Sequence, residues 1–253
     1  MTSGPRATGD PSPLWRRGRL FLFAGLLCAL ASAPPAHGAF RLIGLSIEDA
    51  ATREVVERYS LARQLPPVRF PGTLRITEWL LERPAFAATL ARHLHPPLER
   101  YHLTDKGNGR YEVDDLGALR GELRLVARGL DRRVYLCEGE FRSLAHLLKL
   151  SGTMVFTLEY REITQDNGPS IEVTPQLFVR LNNILAHGML KVLAPLLNGV
   201  IDRRVGNLTT ATQIVSQRLT SDPGGLYREI QTWPEVRPEE LEAYRLAFSI
   251  GGG

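Results

Sequence analysis

The chain has 253 residues, 43% of them hydrophobic, and a formal net charge of +4, enough for one sizeable hydrophobic core or two small ones. Arg6, Arg16, Arg17 and Arg19 against Asp10 place most of that charge in the leader, so the remainder is near neutral and its basicity does not point to nucleic acid. Arginine greatly exceeds lysine, which occurs only at Lys106, Lys149 and Lys191, a bias of composition rather than of phosphate recognition.

In chain order, the proline-rich basic segment MTSGPRATGDPSPLWRRGR runs into the apolar stretch Leu20 to Ala31, and small residues follow at Ala36-His37-Gly38. That order describes a secretory signal peptide over residues 1–38, cleaved after Gly38. The continuous apolar run is well short of the roughly 20 residues that cross a bilayer, which argues against an uncleaved anchor. Cys28 is preceded by the bulky Leu27 rather than the small residue that lipoprotein processing wants. The expected location is therefore periplasmic or secreted. Cys137 is the one cysteine left after cleavage, so no internal disulfide forms and a buried apolar thiol is expected.

Ser46 to Leu65 reads as a helix, with Ile47, Ala50, Ala51, Val55 and Tyr59 as its apolar stripe and Pro66-Pro67 as its stop. Residues 39–71 form a helical N-terminal extension on this reading. Trp79, Leu80, Phe86, Leu90 and Leu94 give a second helical region from Thr77 to Leu94, broken near Pro84. The period then shortens. Tyr101 to Thr104 and Gly109 to Asp114 flank a tight-turn sequence, Gly121 to Arg128 and Arg132 to Phe141 flank another, and Gly152 to Ile163 and Ser170 to Thr174 complete a run of strands. In the strongest of these, Met154, Phe156, Leu158 and Tyr160 share one face. Such spacings leave no room for crossover helices, so the sheet is an antiparallel meander with one apolar face. Its cover is a long helical region from Pro175 to Leu219, apolar at Leu177, Leu181, Ile184, Leu185, Met189 and Val192, and bent or interrupted at Pro195 and Gly199. Residues 221–253 add a short tail with helical pieces near Leu226 to Gln231 and Pro238 to Phe248.

Small helices, an antiparallel meander and one long C-terminal helix form the element order of the START-like helix-grip superfamily, the SRPBCC group of polyketide cyclases and lipid-transfer proteins. Residues 72–220 resemble it through WLLERPAFAATL in the front helices, YHLTDKGNGRYEVDD in the first hairpin, GTMVFTLEYREI in the late strand and VTPQLFVRLNNILAHGMLKVLAPLL in the long helix. The resemblance implies an α+β fold, a curved antiparallel sheet packed around the long helix, with a cavity between them for an apolar ligand. Phe141, Phe156, Leu158, Tyr160, Leu185 and Met189 are the lining candidates and Tyr135 is a polar handle, each also readable as an ordinary core residue.

Chemistry is sparse. His93 and His95 do not share a helical face, and no close ligand spacing demands a metal at His102. His187 is expected to make a structural hydrogen bond within the long helix. Asp114 and Asp115 point to opposite faces of a strand, while Glu138 and Glu140 share one that is readily solvated. No phosphate loop, serine elbow or RNA-binding stripe is present. Arg203-Arg204, Lys191 and Arg218 could touch anionic lipid headgroups or simply keep a helix face wet. The expected function is an exported carrier of a lipid or other small hydrophobic ligand, with no cofactor. The alternatives are a cell-envelope interaction or assembly module without ligand, and a cyclase- or dehydratase-type enzyme using the same cavity.

Overall fold

In the computed structural model the described residues are 48–115, 119–142, 149–166, 168–182 and 187–250, all within the unit Leu45–Gly253. The side chains of residues 149, 187–198 and 200 also lie outside the description. The signal-peptide assignment and Leu185 fall on residues outside it, as does the side chain of Met189.

Six α-helices and eight strands are present among the described residues. Helix α1 (Ala50–Glu57) is capped by Asp49, whose carboxylate accepts from the Thr52 amide at 2.8 Å. Strands β1 (Leu61–Gln64) and β2 (Val68–Pro71) follow, then α2 (Leu74–Leu81), α3 (Pro84–Leu94) and a 3-10 turn at Pro96–Leu98. The meander comprises β3 (His102–Gly107), β4 (Arg110–Asp114), β5 (Leu119–Arg128), β6 (Arg132–Arg142), β7 (Lys149–Gln165) and β8 (Gly168–Leu181). Helix α4 (His187–Ser221) is followed by α5 (Pro223–Ile230) and α6 (Pro238–Ala247). Every strand pairing is antiparallel, in the order β1-β8-β7-β6-β5-β4-β3, with β2 also on β8. The fold is therefore α+β, with an unclosed curved sheet and a long C-terminal helix, as expected.

Three elements differ from the sequence reading. The first helix ends at Glu57, and Leu61–Gln64 is a strand. Pairing with β8 outweighs the helical stripe there, and Leu65-Pro66-Pro67 form a bulge between β1 and β2, three residues facing Thr174 and Pro175. Pro175 opens no helix; it sits inside β8, opposite that bulge, where a missing amide breaks no regular ladder. Leu177 and Leu181 consequently belong to the sheet, and the helix begins only at His187. It then continues as one helix through Pro195 and Gly199 to Ser221, without the expected interruption, and packs on β2, α3 and the 3-10 turn.

The sheet is apolar on both faces rather than one. On the outer face Val134, Leu136, Val155 and Phe178 are fully buried beneath Val55, Ala51, Val56 and Tyr59 of α1 and its exit. Asp49–Arg124 and Glu54–Arg180 pairs tether the same helix. A second core gathers α2, α3, α5 and α6 around the C-terminal half of α4, with Phe86, Leu90, Leu219, Leu226, Ile230 and Tyr244 almost completely buried. Trp79 meets Phe86, Tyr244 and Phe248 edge-on at 5.5–5.8 Å.

The curvature has a local cause. Gly121 faces Gly139 and Gly139 faces Gly152, a row of glycines across β5, β6 and β7. A Cβ on Gly121 would lie 2.3 Å from the Glu138 carbonyl oxygen, and one on Gly139 would lie 2.4 Å from that of Arg120. The backbones approach so closely that only glycine fits. Gly139→Val is expected to destabilise the fold by about 3 kcal/mol or more, through forced separation of β5 and β6. Gly206→Ala, on an exposed part of α4 with nothing within 4 Å of the added carbon, is expected to stabilise by about 1 kcal/mol. Urea unfolding midpoints of the two variants check both; a Gly139→Val midpoint equal to the parent's would refute the steric account.

Candidate functional site: the inner face of the sheet

Strand alternation places a second set of side chains on the face opposite α1. Following the register, Tyr111, Leu123, Cys137, Met154 and Val179 form one cross-strand row, and Leu125, Tyr135, Phe156 and Leu177 the next. Arg133, Leu158 and Pro175 form a third. Beyond the glycine row lie Tyr101, Asp115, Leu119, Phe141 and Leu150.

Helix α4 is held over this face by ion pairs to opposite sides of the sheet. Asp202 meets Arg63 of β1 at 2.5 Å, and Arg204 meets Asp115 just beyond β4. Farther along, the Gln213 amide donates to the Arg69 carbonyl and the Ser216 hydroxyl to that of Pro71. The helix thus spans the hollow of the sheet. Between the 3-10 turn, Asp115 and α4 opens a cleft of about 100 Å³ lined by Pro97, Leu98, Tyr101, Asp115, Arg204, Asn207 and Leu208, room for about three waters at roughly 30 Å³ each.

The two faces differ in filling. Central outer-face residues are 0–2% exposed, whereas Leu123, Leu125, Cys137, Met154, Phe156, Leu158 and Val179 on the inner face are only half-buried. Of the sequence-predicted residues, Tyr135, Phe156, Leu158 and Tyr160 come together on this inner face, Tyr135 and Tyr160 fully buried. Phe141 lies on it too, beyond the glycines and beside Leu119 and Leu150.

At one end is a polar cluster that sequence reasoning missed. Arg133, 1% exposed, donates to the Gly129 carbonyl at 2.7 Å, the Arg132 carbonyl at 3.0 Å and the Tyr160 hydroxyl at 2.6 Å. It also donates to Glu78 of α2, to which the Tyr160 hydroxyl donates as well. A buried guanidinium needs such partners. Burial and the Glu78 hydrogen bond push the Tyr160 hydroxyl far above the ordinary phenol range, so it stays a proton donor. The signal available in the sequence was Arg133 on the apolar side of its strand; its partner, 55 residues earlier, was not legible.

Several other polar groups are engaged, although Arg63 Nη1, His95 Nε2 and Asp114 Oδ1 are buried without a hydrogen-bond partner. Burial pushes the Cys137 thiol up to about 11, with Glu138 adding to the shift, which leaves it protonated and a poor nucleophile. Asp114 pairs with Arg120 at 3.2 Å and Asp115 with Arg204. Arg218 pairs with Glu229, so two of the cations considered for headgroup contact are engaged within the chain. His93 stacks on Trp233 at 3.9 Å and meets Glu235 at 2.6 Å. Among the described residues no group of three or more His, Cys, Asp or Glu could hold a metal ion, and no helix is long and apolar enough to cross a membrane.

No protein-family model and no curated protein matches the chain. Solved structures do. A conserved protein from Geobacillus kaustophilus is 12% identical, with 60% of this chain and 95% of that one covered at a TM-score of 0.36. An uncharacterised protein from Rhizobium leguminosarum is 12% identical over 62% and 97%, at 0.39. The di-domain ARO/CYC BexL from the BE-7585A biosynthetic pathway is 13% identical over 66% and 54%, at 0.38. These are distant likenesses, and no property is carried over from them.

Glu78→Ala is expected to cost about 3 kcal/mol, because it strands the buried Arg133 charge; Glu78→Met with Arg133→Met should recover most of that loss. Chemical denaturation of the single and double variants tests the coupling, and additive losses would show that the two residues do not act as a pair.

Proposed function

We propose that this protein binds a small hydrophobic ligand between the inner face of the sheet and α4, as an exported carrier. The observation that supports it best is the unequal filling of the two faces. The centre of the outer face is sealed to 0–2% exposure by one short helix, while on the inner face Leu123, Leu125, Met154, Phe156 and Leu158 remain half-buried beneath a helix of 35 residues, beside the buried Tyr135 and Leu177. A site for an apolar molecule needs this kind of lining, with few polar groups to orient the occupant. Tyr135, Phe156 and Leu158 would form its centre, and the Arg133–Glu78–Tyr160 cluster one end. Delivery outside the cytoplasm rests on the leader sequence.

The carrier reading is preferred over catalysis because the acidic and basic groups near the face are already paired, and the thiol is held protonated. Native mass spectrometry of protein purified from an exported preparation, with identification of whatever denaturation releases, tests it. A stoichiometric hydrophobic species is expected, and Leu158→Trp, which occupies the same space, should lower its bound fraction without unfolding the chain. A clean apo mass together with no uptake from phosphatidylethanolamine–phosphatidylglycerol vesicles would replace the carrier by an interaction module of the cell envelope.

A further inference from the structure

One guanidinium on the inner face is only half used. Arg63 of β1 meets Asp202 of α4 through Nη2 at 2.5 Å, while its Nη1 is buried with no hydrogen-bond partner. The register fixes where this side chain starts. Arg63 faces Leu177 across β1 and β8, Leu177 faces Phe156, and Phe156 faces Tyr135. Arg63 therefore ends the apolar row at the centre of the proposed site, and Leu61, two positions earlier on the same side, faces Val179. Other buried polar atoms without a partner stand elsewhere: Asp114 is in the outer-face row with Arg120, and His95 follows the end of α3. A buried N–H on a charged group is among the costliest to leave unmade, and this one borders side chains that are themselves incompletely covered.

The surroundings narrow what would satisfy it. Asp202 is 58% exposed against 30% for the Arg63 side chain, so the carboxylate already present lies on the water side of the pair and its charge is well screened. A second carboxylate, arriving from the apolar side, would accept charge-assisted hydrogen bonds about twice as strong as those between neutral groups. One nitrogen carries two N–H donors, which suits a monoanion with two oxygens. A phosphate monoester carries about −1.5 to −2 charge and three strong acceptor oxygens, and the neighbouring cations Arg133 and Arg204 are held by Glu78 and Asp115.

We propose that the ligand is an amphipathic monocarboxylate, an apolar body ending in an ionised carboxyl group, and that Arg63 Nη1 donates to that carboxylate while the body lies along Leu177 and Phe156. This rests on the ligand-binding reading above and adds its chemical class and the residue that recognises the head.

The test measures displacement of the neutral fluorophore N-phenyl-1-naphthylamine from the full chain by laurate, 1-dodecanol and dodecyl phosphate. A site that was only apolar would prefer the alcohol, because an ionised head resists leaving water. The parent protein should instead bind laurate at least about tenfold more tightly than dodecanol, the worth of one hydrogen bond to a charged group. Asp202→Asn keeps the guanidinium and should retain that preference. Arg63→Gln combined with Asp202→Asn leaves a neutral pair able to hydrogen-bond in the same place, and should bring the preference below about twofold. A parent that binds dodecanol as well as laurate overturns the head assignment while the hydrophobic site stands, and needs no variant to fold. The assignment also falls if the preference survives the double substitution, if Asp202→Asn alone abolishes it, or if dodecyl phosphate binds more tightly than laurate. Binding of neither the fluorophore nor any of the three amphiphiles overturns the site and the assignment together.

Discussion

The curvature of the sheet is the constraint on which the other features depend. Because Gly121 and Gly139 let neighbouring backbones approach more closely than any Cβ allows, the end of β4 on one side and β1 on the other can both reach one helix. Asp202 and Arg204, two positions apart, then pair with opposite sides of the sheet. Partly exposed ion pairs contribute little stability on their own, about 0–1 kcal/mol each. Their importance is geometric: they fix where the helix crosses, and the C-terminal core around Leu219, Leu226 and Tyr244 supplies the burial that keeps it there.

Much of this was readable from residue patterns. The period-two runs from Tyr101 to Ile163, the break at Pro84 and the two helical pieces of the tail all appear close to where the sequence places them. The failures share one cause, namely that strand pairing is non-local. Leu61–Gln64 has a helical stripe and Pro175 has the look of a helix start, yet each pairs with a strand more than a hundred residues away in sequence or sits opposite that pairing. Local propensity carries no information about such partners. The same holds for the polar cluster, since Arg133, Tyr160 and Glu78 meet only after α2 folds back across the end of the sheet.

The inner face was legible in part. Phe156, Leu158 and Tyr160 follow from alternation alone, and the register with β6 sets the sequence-predicted Tyr135 opposite Phe156. Tyr111, Leu123 and Leu125 were not singled out, because β4 and β5 are short or mixed in polarity and only the pairing register shows which side their residues take. Leu185 and the Met189 side chain lie outside the described residues, so the lining is defined here from the sheet side.

The broken first strand has a consequence for the molecule's behaviour in company. The β8 edge is occupied along its length, but by two four-residue pieces separated at Pro66-Pro67, and the opposite edge, β3, carries a bulge near exposed Asp105 and Lys106. A foreign strand approaching either side meets an interrupted ladder or charge instead of a continuous row of free amides and carbonyls. A sheet apolar on both faces is thereby kept from templating its own aggregation at the rims.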